Sequence, residues 1–466
     1  TSMEKTSEIL LKMGTSAITK DEKDGKGWYT GKSIEWNANF QTGKTNHSTA
    51  IKYLSTNGQR RNTEIEQWMA LVQGNLPLSQ RTKIDWHWAW ITNDFGANGF
   101  YAPPYDENAQ EKVNTMMANI MTETNWNEKW KLTTKWNARW NKDDYRLYEY
   151  DLSKSRSLHQ NQTYTFDANL SYNSNWGKWA LRNEWRTEKV SSNNLGVHDR
   201  QWIDMTLNYA HHWKNKIFWH WGTDIQYNNQ YGWKVFPGID ITWRANNHSK
   251  WYTSWGTGVR IPSFTDLYLN QKPGNIGNPD LQPERAQQWE LKWEYQKKYH
   301  TIYARTFWRS TDDLIDWIKW ENASPFQTQN KGNNTVRGLS LQYQIKFPLA
   351  HDHHFWLIKW GYQWMDLKEK TAFEGAYSKY RLNHNQHQWI NNIQYVNNNW
   401  VISLEQNYFK KVNHTLKGIL NAKVVWKQKK INYVLEMHNL NNEKEHDSNR
   451  LSIPSRWMNV GLSYQW

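Results

Sequence analysis

Several common features are missing from this chain of 466 residues. It contains no cysteine, which excludes disulfide bonds and cysteine zinc sites. It also contains no apolar run of about 18 residues, which excludes a helical transmembrane protein. No signal peptide precedes Thr1, so we expect a mature chain or an excised part of one.

Aromatic residues, by contrast, are abundant: the chain has 34 Trp, 25 Tyr and 13 Phe. Trp and Tyr rings bury large apolar areas and favour membrane interfaces. The 58 basic side chains exceed the 44 acidic ones, which gives a formal net charge of +14. Basic chains rich in aromatic residues can bind single-stranded nucleic acid. Here the charges are spread along every segment rather than clustered, so we expect no nucleic-acid partner.

The hydrophobic pattern has a period of two residues along most of the chain. In the stretch 128–141, for example, residues such as Trp130 and Trp136 alternate with lysine, asparagine and arginine. The stretches 163–173 and 289–295 alternate in the same way. Side chains of a strand point alternately to opposite faces, so each stretch predicts a strand with one apolar and one polar face. A face of Trp and Tyr repeated over many strands packs poorly in a soluble core but suits contact with lipid.

The alternation predicts an even number of strands, 22 in all. They lie near residues 6–14, 34–40, 49–55, 64–75, 83–92, 112–123, 129–141, 163–173, 178–187, 201–211, 217–228, 234–245, 251–260, 286–296, 300–309, 335–347, 355–365, 386–396, 400–409, 415–427, 431–440 and 457–466. Short polar turns alternate with long irregular loops between them. The long loops are expected at 92–112, 141–162, 260–285, 310–335 and 366–386.

An even number of strands, with short turns at one end and long loops at the other, is typical of an outer-membrane β-barrel. A closed barrel leaves no strand edge unpaired in lipid. The chain end agrees, because Val460, Leu462, Tyr464 and Trp466 place an apolar or aromatic group at every second position. The sequence therefore predicts an all-β fold: a 22-stranded antiparallel transmembrane β-barrel that crosses the lipid bilayer of a bacterial outer membrane many times.

The loops carry a resemblance to a known family. The segment Arg260-Ile-Pro-Ser-Phe-Thr-Asp-Leu-Tyr268, followed by Gly277-Asn-Pro-Asp-Leu-Gln-Pro-Glu284, resembles the signature of TonB-dependent receptors. The segments Val336-Arg-Gly-Leu339 and Asn439-Leu-Asn-Asn442 are also similar to that family. Two further segments, 93–105 and 234–239, are expected to be loops and most resemble Bacteroidetes relatives of cobalamin receptors.

The resemblance implies a receptor and transporter that takes up cobalamin or an iron chelate, with the small molecule held by external loops. Family members carry an N-terminal plug domain inside the barrel, and this plug contacts the energising partner TonB. Because the first predicted strand begins near Thr6, we expect residues 1–466 to form a single barrel domain without a plug. Contact with TonB is then expected only through a plug absent from this chain.

An alternative function is a plugless or redesigned barrel that acts as a passive wide pore or scaffold. The Trp-rich strands are unusual for the family, whereas the loops keep its sequence. Inward charges of both signs, such as Arg182, Glu184, Asp204, Asp224 and Glu290, would line a wide aqueous lumen. Hydrated charges in so wide a channel would select ions only weakly.

Aromatic residues of the long loops are the candidate ligand contacts, because aromatic faces suit a flat corrin or an aromatic iron chelator. They are Phe95, Phe100, Tyr101, Tyr105, Phe264, Tyr268, Trp317 and Trp320. Alternatively, these rings pack the loops together or anchor the barrel at the membrane interface. Arg260 is a further candidate contact; its alternative role is to fix the turn that contains Pro262 and Asp266.

Histidines and acidic residues offer two possible metal sites. His351, His353 and His354 fall in a predicted short turn and lack the spacing that would bring them around one ion. We therefore predict a solvated turn there.

Acidic loop residues could supply oxygen ligands to calcium. They are Asp312, Asp313 and Asp316, together with Asp143 and Asp144. Such residues more commonly only solvate a loop, so we predict no metal and no cofactor. Barrel hydrolases need a nucleophile, a His and an Asp beside a shaped oxyanion site. We recognise no such set of residues in the sequence, so we also predict no enzyme.

Overall fold

The computed structural model describes residues 6–17, 28–101, 105–153, 155–271, 274–320, 325–349, 353–371, 373, 375–379, 384–412, 414–444 and 453–466. These residues form strands, turns and one short helix, α1 (Phe264–Tyr268). No helix among them has the length and apolar character needed to cross a membrane.

Twenty-two long strands form one sheet. Their bounds are β1 (Thr6–Ala17), β2 (Trp28–Thr42), β3 (Thr45–Thr56), β4 (Ile65–Pro77), β5 (Thr82–Gly96), β6 (Gln110–Asn125), β7 (Trp130–Arg146), β8 (Arg156–Ser174), β9 (Gly177–Ser192), β10 (Gly196–Trp213), β11 (Ile217–Asn228), β12 (Gly232–Arg244), β13 (Ser249–Arg260), β16 (Glu284–Lys297), β17 (His300–Asp312), β20 (Gly332–Pro348), β21 (Phe355–Thr371), β23 (Asn385–Val396), β24 (Trp400–Lys411), β25 (Lys417–Gln428), β26 (Ile431–His438) and β27 (Trp457–Gln465). Five short strands lie in the connections: β14 (Asn270–Gln271), β15 (Asn275–Ile276), β18 (Ile315–Lys319), β19 (Phe326–Asn330) and β22 (Tyr377–Ser378).

Each long strand pairs antiparallel with the next long strand along the chain, and the last pairs with the first. The closing pair joins β27 to β1, from Glu8 opposite Gln465 to Thr15 opposite Met458. Strand length varies around the wall, from 19 residues in β8 to 8 in β26. The prediction of a 22-stranded antiparallel barrel is thereby confirmed.

The strands are longer than predicted, chiefly at the ends that join the long loops. Strand β7 continues to Arg146 and β8 begins at Arg156, so most of the expected loop 141–162 is strand. The strand predicted near 234–245 is β12, so the expectation of a loop at 234–239, which came from the family resemblance, is wrong. The apolar alternation simply continues through this segment, and sheet pairing extends with it.

The two faces of the wall differ as the alternation predicts. Large apolar side chains such as Trp136, Leu181 and Trp185 are exposed on the outer face. The inner face carries networks of charged groups. Arg182, for example, donates hydrogen bonds to both Asp167 and Glu184. Elsewhere on this face, Lys12 of β1 pairs with Glu436 of β26 at 3.1 Å, and Arg305 of β17 pairs with Glu290 of β16 at 2.6 Å.

Three connections fold together at one end of the barrel. The short strands they contain form a small mixed sheet in the order β14, β15, β19, β18 and β22, in which β15 and β19 run parallel. We call the described residues of 261–283, 313–331 and 375–379 the loop body. It reaches across to β8, five strands from β13, where Gln271 donates a hydrogen bond to Ser157 at 2.9 Å. The backbone N–H of Asn270 donates to the carbonyl of Asn194 at 3.0 Å.

Candidate ligand-binding site

Arg260 sits at the end of β13, where the chain leaves the wall to enter the loop body. Its guanidinium donates to Asp266 at 3.2 Å and to Glu284 at 2.9 Å. Asp266 also accepts from the backbone N–H of Ser263, while the Ser263 hydroxyl accepts from the Asp266 N–H. This reciprocal capping box starts helix α1. Arg260 thus makes its hydrogen bonds within the protein, as expected if its role is to fix the turn that contains Pro262 and Asp266.

Helix α1 packs against the inner face of β10. The ring of Tyr268 stacks on His198 with centroids 3.7 Å apart. The guanidinium of Arg200 lies 4.7 Å from the centre of the Phe264 ring. It also donates to the carbonyl of Pro262 at 2.9 Å. These contacts hold the signature segment inside the barrel mouth rather than above it.

Two small apolar clusters stabilise the loop body. Trp317 of β18 packs with Leu269 against Val190 near the end of β9 and Leu195 in the tight connection to β10. Leu267, Leu281 and Ile315 form the second cluster. Trp317 is only 5% exposed. It therefore contributes mainly packing to the loop body.

A buried ion cluster ties the loop body to β21. Lys331 is 4% exposed, and its ammonium donates to Asp316 at 3.3 Å and to Glu369 at 2.9 Å. It also donates to the hydroxyl of Ser378 at 3.2 Å. Lys379 lies beside this cluster; burial lowers the pKa of its ammonium, against the opposing effect of the Asp316 carboxylate. Charges this deeply buried must be paired to persist.

Beneath the loop body lies a cavity of about 590 Å³. The loop body contributes residues such as Thr265, Asp266 and Trp317, and the barrel wall contributes Asn334 and Glu369. The lining is mixed, with carboxylates, a guanidinium, an amide and apolar groups. Such a chamber suits a ligand that presents both hydrogen-bonding groups and a flat apolar face.

The remaining aromatic candidates lie in and beside the connection between β5 and β6. Phe95, expected in a loop, is the second-last residue of β5. The rings of Phe95, Phe100 and Tyr101 form a chain, with centroids 5.5 and 6.1 Å apart. Tyr101 packs edge-on against Tyr145 at 4.8 Å and donates its hydroxyl proton to Glu111 at 3.0 Å. Burial of the hydroxyl, with the nearby Glu111 carboxylate, raises the pKa of Tyr101. The ring itself is exposed, so its face stays open to a ligand.

The structure thus divides the nine predicted site residues between two groups. Phe95 lies at the end of β5, whereas Phe100, Tyr101 and Tyr105 belong to the β5–β6 connection, and Tyr105 is 77% exposed. The remaining rings lie in the loop body, which Arg260 of β13 contacts through Asp266. Among these, Phe264 and Tyr268 are half-buried, whereas Trp320 is 46% exposed and packs edge-on against Phe373.

The groups considered for metal binding are separated by the fold. Asp143 lies on the inner face, whereas Asp144 pairs with Arg146 and Arg156 on the other face. His354 makes a hydrogen bond with the Tyr395 hydroxyl at 2.6 Å, and His351 lies outside the described residues. Within the part of the chain that the structure describes, no three His, Asp or Glu side chains converge as a metal site.

Sequence reasoning missed the polar residues that hold the loop body in place. The wall residues His198, Arg200 and Glu369 contact it, and Lys331 lies within it. Each looks like an ordinary polar residue of an alternating strand or loop. Their role depends on register and on a connection that crosses to distant strands. The one usable signal was the apolar run Leu314-Ile-Asp-Trp317, which indicates a buried rather than a solvated loop.

The comparisons with known proteins agree with this architecture. The chain matches the family model "TonB dependent receptor-like, beta-barrel" over residues 74–466. It is similar to the vitamin B12 transporter BtuB of Vibrio vulnificus, with 22% identity over 148 residues. That match covers 32% of this chain and only 22% of the length of the relative.

Solved structures with the same fold include three receptors. The siderophore receptor PirA of Pseudomonas aeruginosa has a TM-score of 0.74 at 12% identity, over 100% of this chain and 81% of PirA. The iron transporter FrpB of Neisseria meningitidis has a TM-score of 0.78 at 11% identity, over 100% of this chain and 82% of FrpB. The ferric enterobactin receptor PfeA of Pseudomonas aeruginosa has a TM-score of 0.79 at 11% identity, over 99% of this chain and 80% of PfeA.

Identities this low show the fold alone. The family model, however, matches well over half of the chain, and its members are transport receptors rather than enzymes. The chain belongs to the TonB-dependent receptor-like β-barrel family.

Proposed function

We propose that this barrel resides in the bacterial outer membrane and serves the uptake of cobalamin or an iron chelate. Membership of the TonB-dependent receptor family supports the proposal, and so do the ligands named for BtuB, PirA and PfeA. The observation that carries it is the loop body, which holds the family signature inside the barrel mouth above a 590 Å³ cavity. A barrel that served only as a wall would not need this inward-folded assembly.

The ligand would contact the open rings of both groups. Phe100, Tyr101, Tyr105 and Trp320 are exposed. Aromatic faces of this kind suit a corrin ring or an aromatic iron chelator. Trp317 would support ligand binding indirectly, by keeping the loop body folded.

For energised transport, we propose that residues 1–466 act as a single barrel domain and that TonB acts through a plug domain absent from this chain. Coupling by TonB requires a segment that moves within the lumen, and the strands of a closed barrel are fixed by their pairing. The barrel would then supply the membrane passage and the outer binding surface.

The second candidate is a passive wide pore or scaffold, possible for a plugless or redesigned barrel. The inner wall favours it, since charges of both signs line this wall in pairs such as Arg182 with Asp167 and Arg305 with Glu290. Such a wall attracts water and offers ions little selectivity.

Binding and conductance together separate the two functions. The chain refolded in lipid would be titrated with cyanocobalamin and, separately, with ferric enterobactin, with bound ligand measured by calorimetry. The receptor proposal expects saturable binding of one of them, lost when Phe100 and Tyr105 are both changed to serine. No binding of either, together with large steady single-channel steps, would favour the passive pore.

A further inference from the structure

The outer face of β6 to β9 has a notch in its band of large side chains. On β6 to β9 the strand register aligns outward residues in rows across the wall. One row consists of Ile120, Trp136, Phe166 and Trp185. The next row toward the loop body consists of Ala118, Ala138, Tyr164 and Thr187. Two methyl groups therefore sit beside a row of rings.

This difference in size leaves a lipid-facing cavity, which we call the notch. Its volume is about 280 Å³, and its side-chain walls include Ile120, Trp136, Ala138, Phe166 and Trp185. Trp136 is 57% exposed, and its ring packs on Phe166 with centroids 4.3 Å apart. The notch is thus a preformed apolar cleft rather than a gap that the rings can close.

Two lysines stand above the notch on the same outer face. Lys189 of β9 lies in the same row as Trp140 of β7, because both are opposite Gln162 of the intervening strand β8. Lys142 of β7 lies two residues beyond Trp140. Both ammonium groups are exposed. Among the residues that the structure describes, neither lysine has an ion pair or a hydrogen-bond partner.

The spacing along the membrane normal fits within the outer half of a bilayer. Lys142 lies four positions beyond Ala138, roughly 13 Å along the strand and roughly 10 Å along the normal for a strand tilted by about 40°. Half of the hydrocarbon core is about 15 Å. An acyl chain in the notch would therefore end, at its head-group side, close to the two ammonium groups.

We propose that the notch and the two lysines Lys142 and Lys189 form a binding site for one anionic, phosphate-bearing membrane lipid. An acyl chain occupies the notch, and the phosphate lies between the lysines. The site continues the lipid-facing surface of the barrel, and its charge complements a phosphate at the membrane interface. The inference rests on the proposed position of the barrel in a membrane but is independent of the transported ligand.

A membrane lipid fits this patch better than a free anion. The lysines stand beside a cleft whose walls are apolar, and a water-soluble phosphate would leave that cleft unfilled. Polarity is restricted to the rim, where Trp140 donates a hydrogen bond to the Tyr164 hydroxyl at 3.0 Å. An amphiphile satisfies both parts at once.

Native mass spectrometry of the refolded chain provides the test. The barrel would be released from bilayers of equal dioleoylphosphatidylglycerol and dioleoylphosphatidylcholine, and the retained lipids counted. We expect one retained phosphatidylglycerol. The double variant Lys142→Gln with Lys189→Gln should lower its retention about 30-fold relative to phosphatidylcholine, since two lysines are lost. Ala138→Trp, which fills the notch, should lower retention of both lipids.

Matched controls come from other strands. Ala422→Trp on the outer face of β25 and Lys368→Gln on that of β21 should leave retention unchanged. A phosphatidylglycerol with a photoreactive acyl chain should label peptides within 112–142 and 160–190. Equal retention of the two lipids by the unchanged chain, or label spread evenly around the barrel, overturns the site while leaving the membrane position intact. A chain that never inserts into lipid overturns both.

Discussion

Arg260 and Glu284 face each other across β13 and β16, and the guanidinium donates to the carboxylate at 2.9 Å. These two residues are also the points where the chain leaves the wall and returns to it. Their pair closes the base of connection 261–283, and the second bond from Arg260, to Asp266, fixes the first turn beyond it. One side chain thus sets the direction in which the family signature enters the barrel mouth.

Replacing Arg260 by methionine should loosen the loop body and spare the barrel. Glu284 and Asp266 are buried and would lose a donor, at a cost of about 1–3 kcal/mol. Hydrogen exchange followed by mass spectrometry should show faster exchange in 261–283 and unchanged exchange in the paired strands. The exposed outer pair of Arg337 and Asp366 supplies the control, since Arg337→Met should alter neither. Unchanged exchange in 261–283 would contradict the role assigned to Arg260.

Lys331 should prove more sensitive than Arg260, because it is almost fully buried. Lys331→Met leaves Asp316 and Glu369 without their cation, which should destabilise the closed loop body by about 3–5 kcal/mol. Limited proteolysis should then cut within 313–331 much faster than in the unchanged chain. Adding Asp316→Asn should restore part of the resistance, because one of the orphaned charges disappears. A double variant as sensitive as the single one would argue against charge burial as the cause.

The two tryptophans predicted as ligand contacts should behave differently. Trp317 is 5% exposed, so Trp317→Ala should remove packing worth about 3–5 kcal/mol and abolish ligand binding indirectly. Trp320 is 46% exposed, so Trp320→Ala should change stability by less than about 1 kcal/mol. Calorimetric titration with cyanocobalamin, beside hydrogen exchange of the loop body, separates the two effects. Loss of binding by Trp320→Ala without faster exchange would identify a direct contact.

Gly74 should resist any larger side chain. It lies opposite Trp86 on the neighbouring strand, and the indole ring occupies the space that a Cβ at Gly74 would need. Gly74→Ala should therefore cost about 1–3 kcal/mol through overpacking. Gly256 is the matched control, because a Cβ there would meet no heavy atom within 4 Å. Urea unfolding of the refolded barrel should show a lower midpoint for Gly74→Ala and nearly no change for Gly256→Ala.

The wall of the barrel was predictable because its physics is local. Alternation of residues such as Trp130 and Lys131 reports directly on two faces, and closure follows from the count of strands. The ends of the strands were harder to predict. Beyond the membrane both faces meet water, so the alternation fades near Arg146 and Arg156 although pairing continues.

The loop body could not be derived in the same way. Trp317 was predicted as a ligand contact because an aromatic residue in a loop is compatible with either role. Its burial depends on Val190 and Leu195, which lie more than a hundred residues away in the sequence and six strands away in the wall. Lys331 gave no signal at all, since its carboxylate partners come from β18 and β21. Long-range folding of a connection leaves little trace in local periodicity.

The pairing of β1 with β27 has a consequence for biogenesis. Thr6–Ala17 precedes Trp457–Gln465 in the chain, so β1 is synthesised well before its partner β27. Until β27 exists, that edge of β1 has no partner, and an unpaired edge is not tolerated in lipid. Closure must therefore wait for the synthesis of β27. A chain cut within β27 would form an open sheet with two unpaired edge strands. Such edges would pair with another copy of the chain instead of closing the barrel.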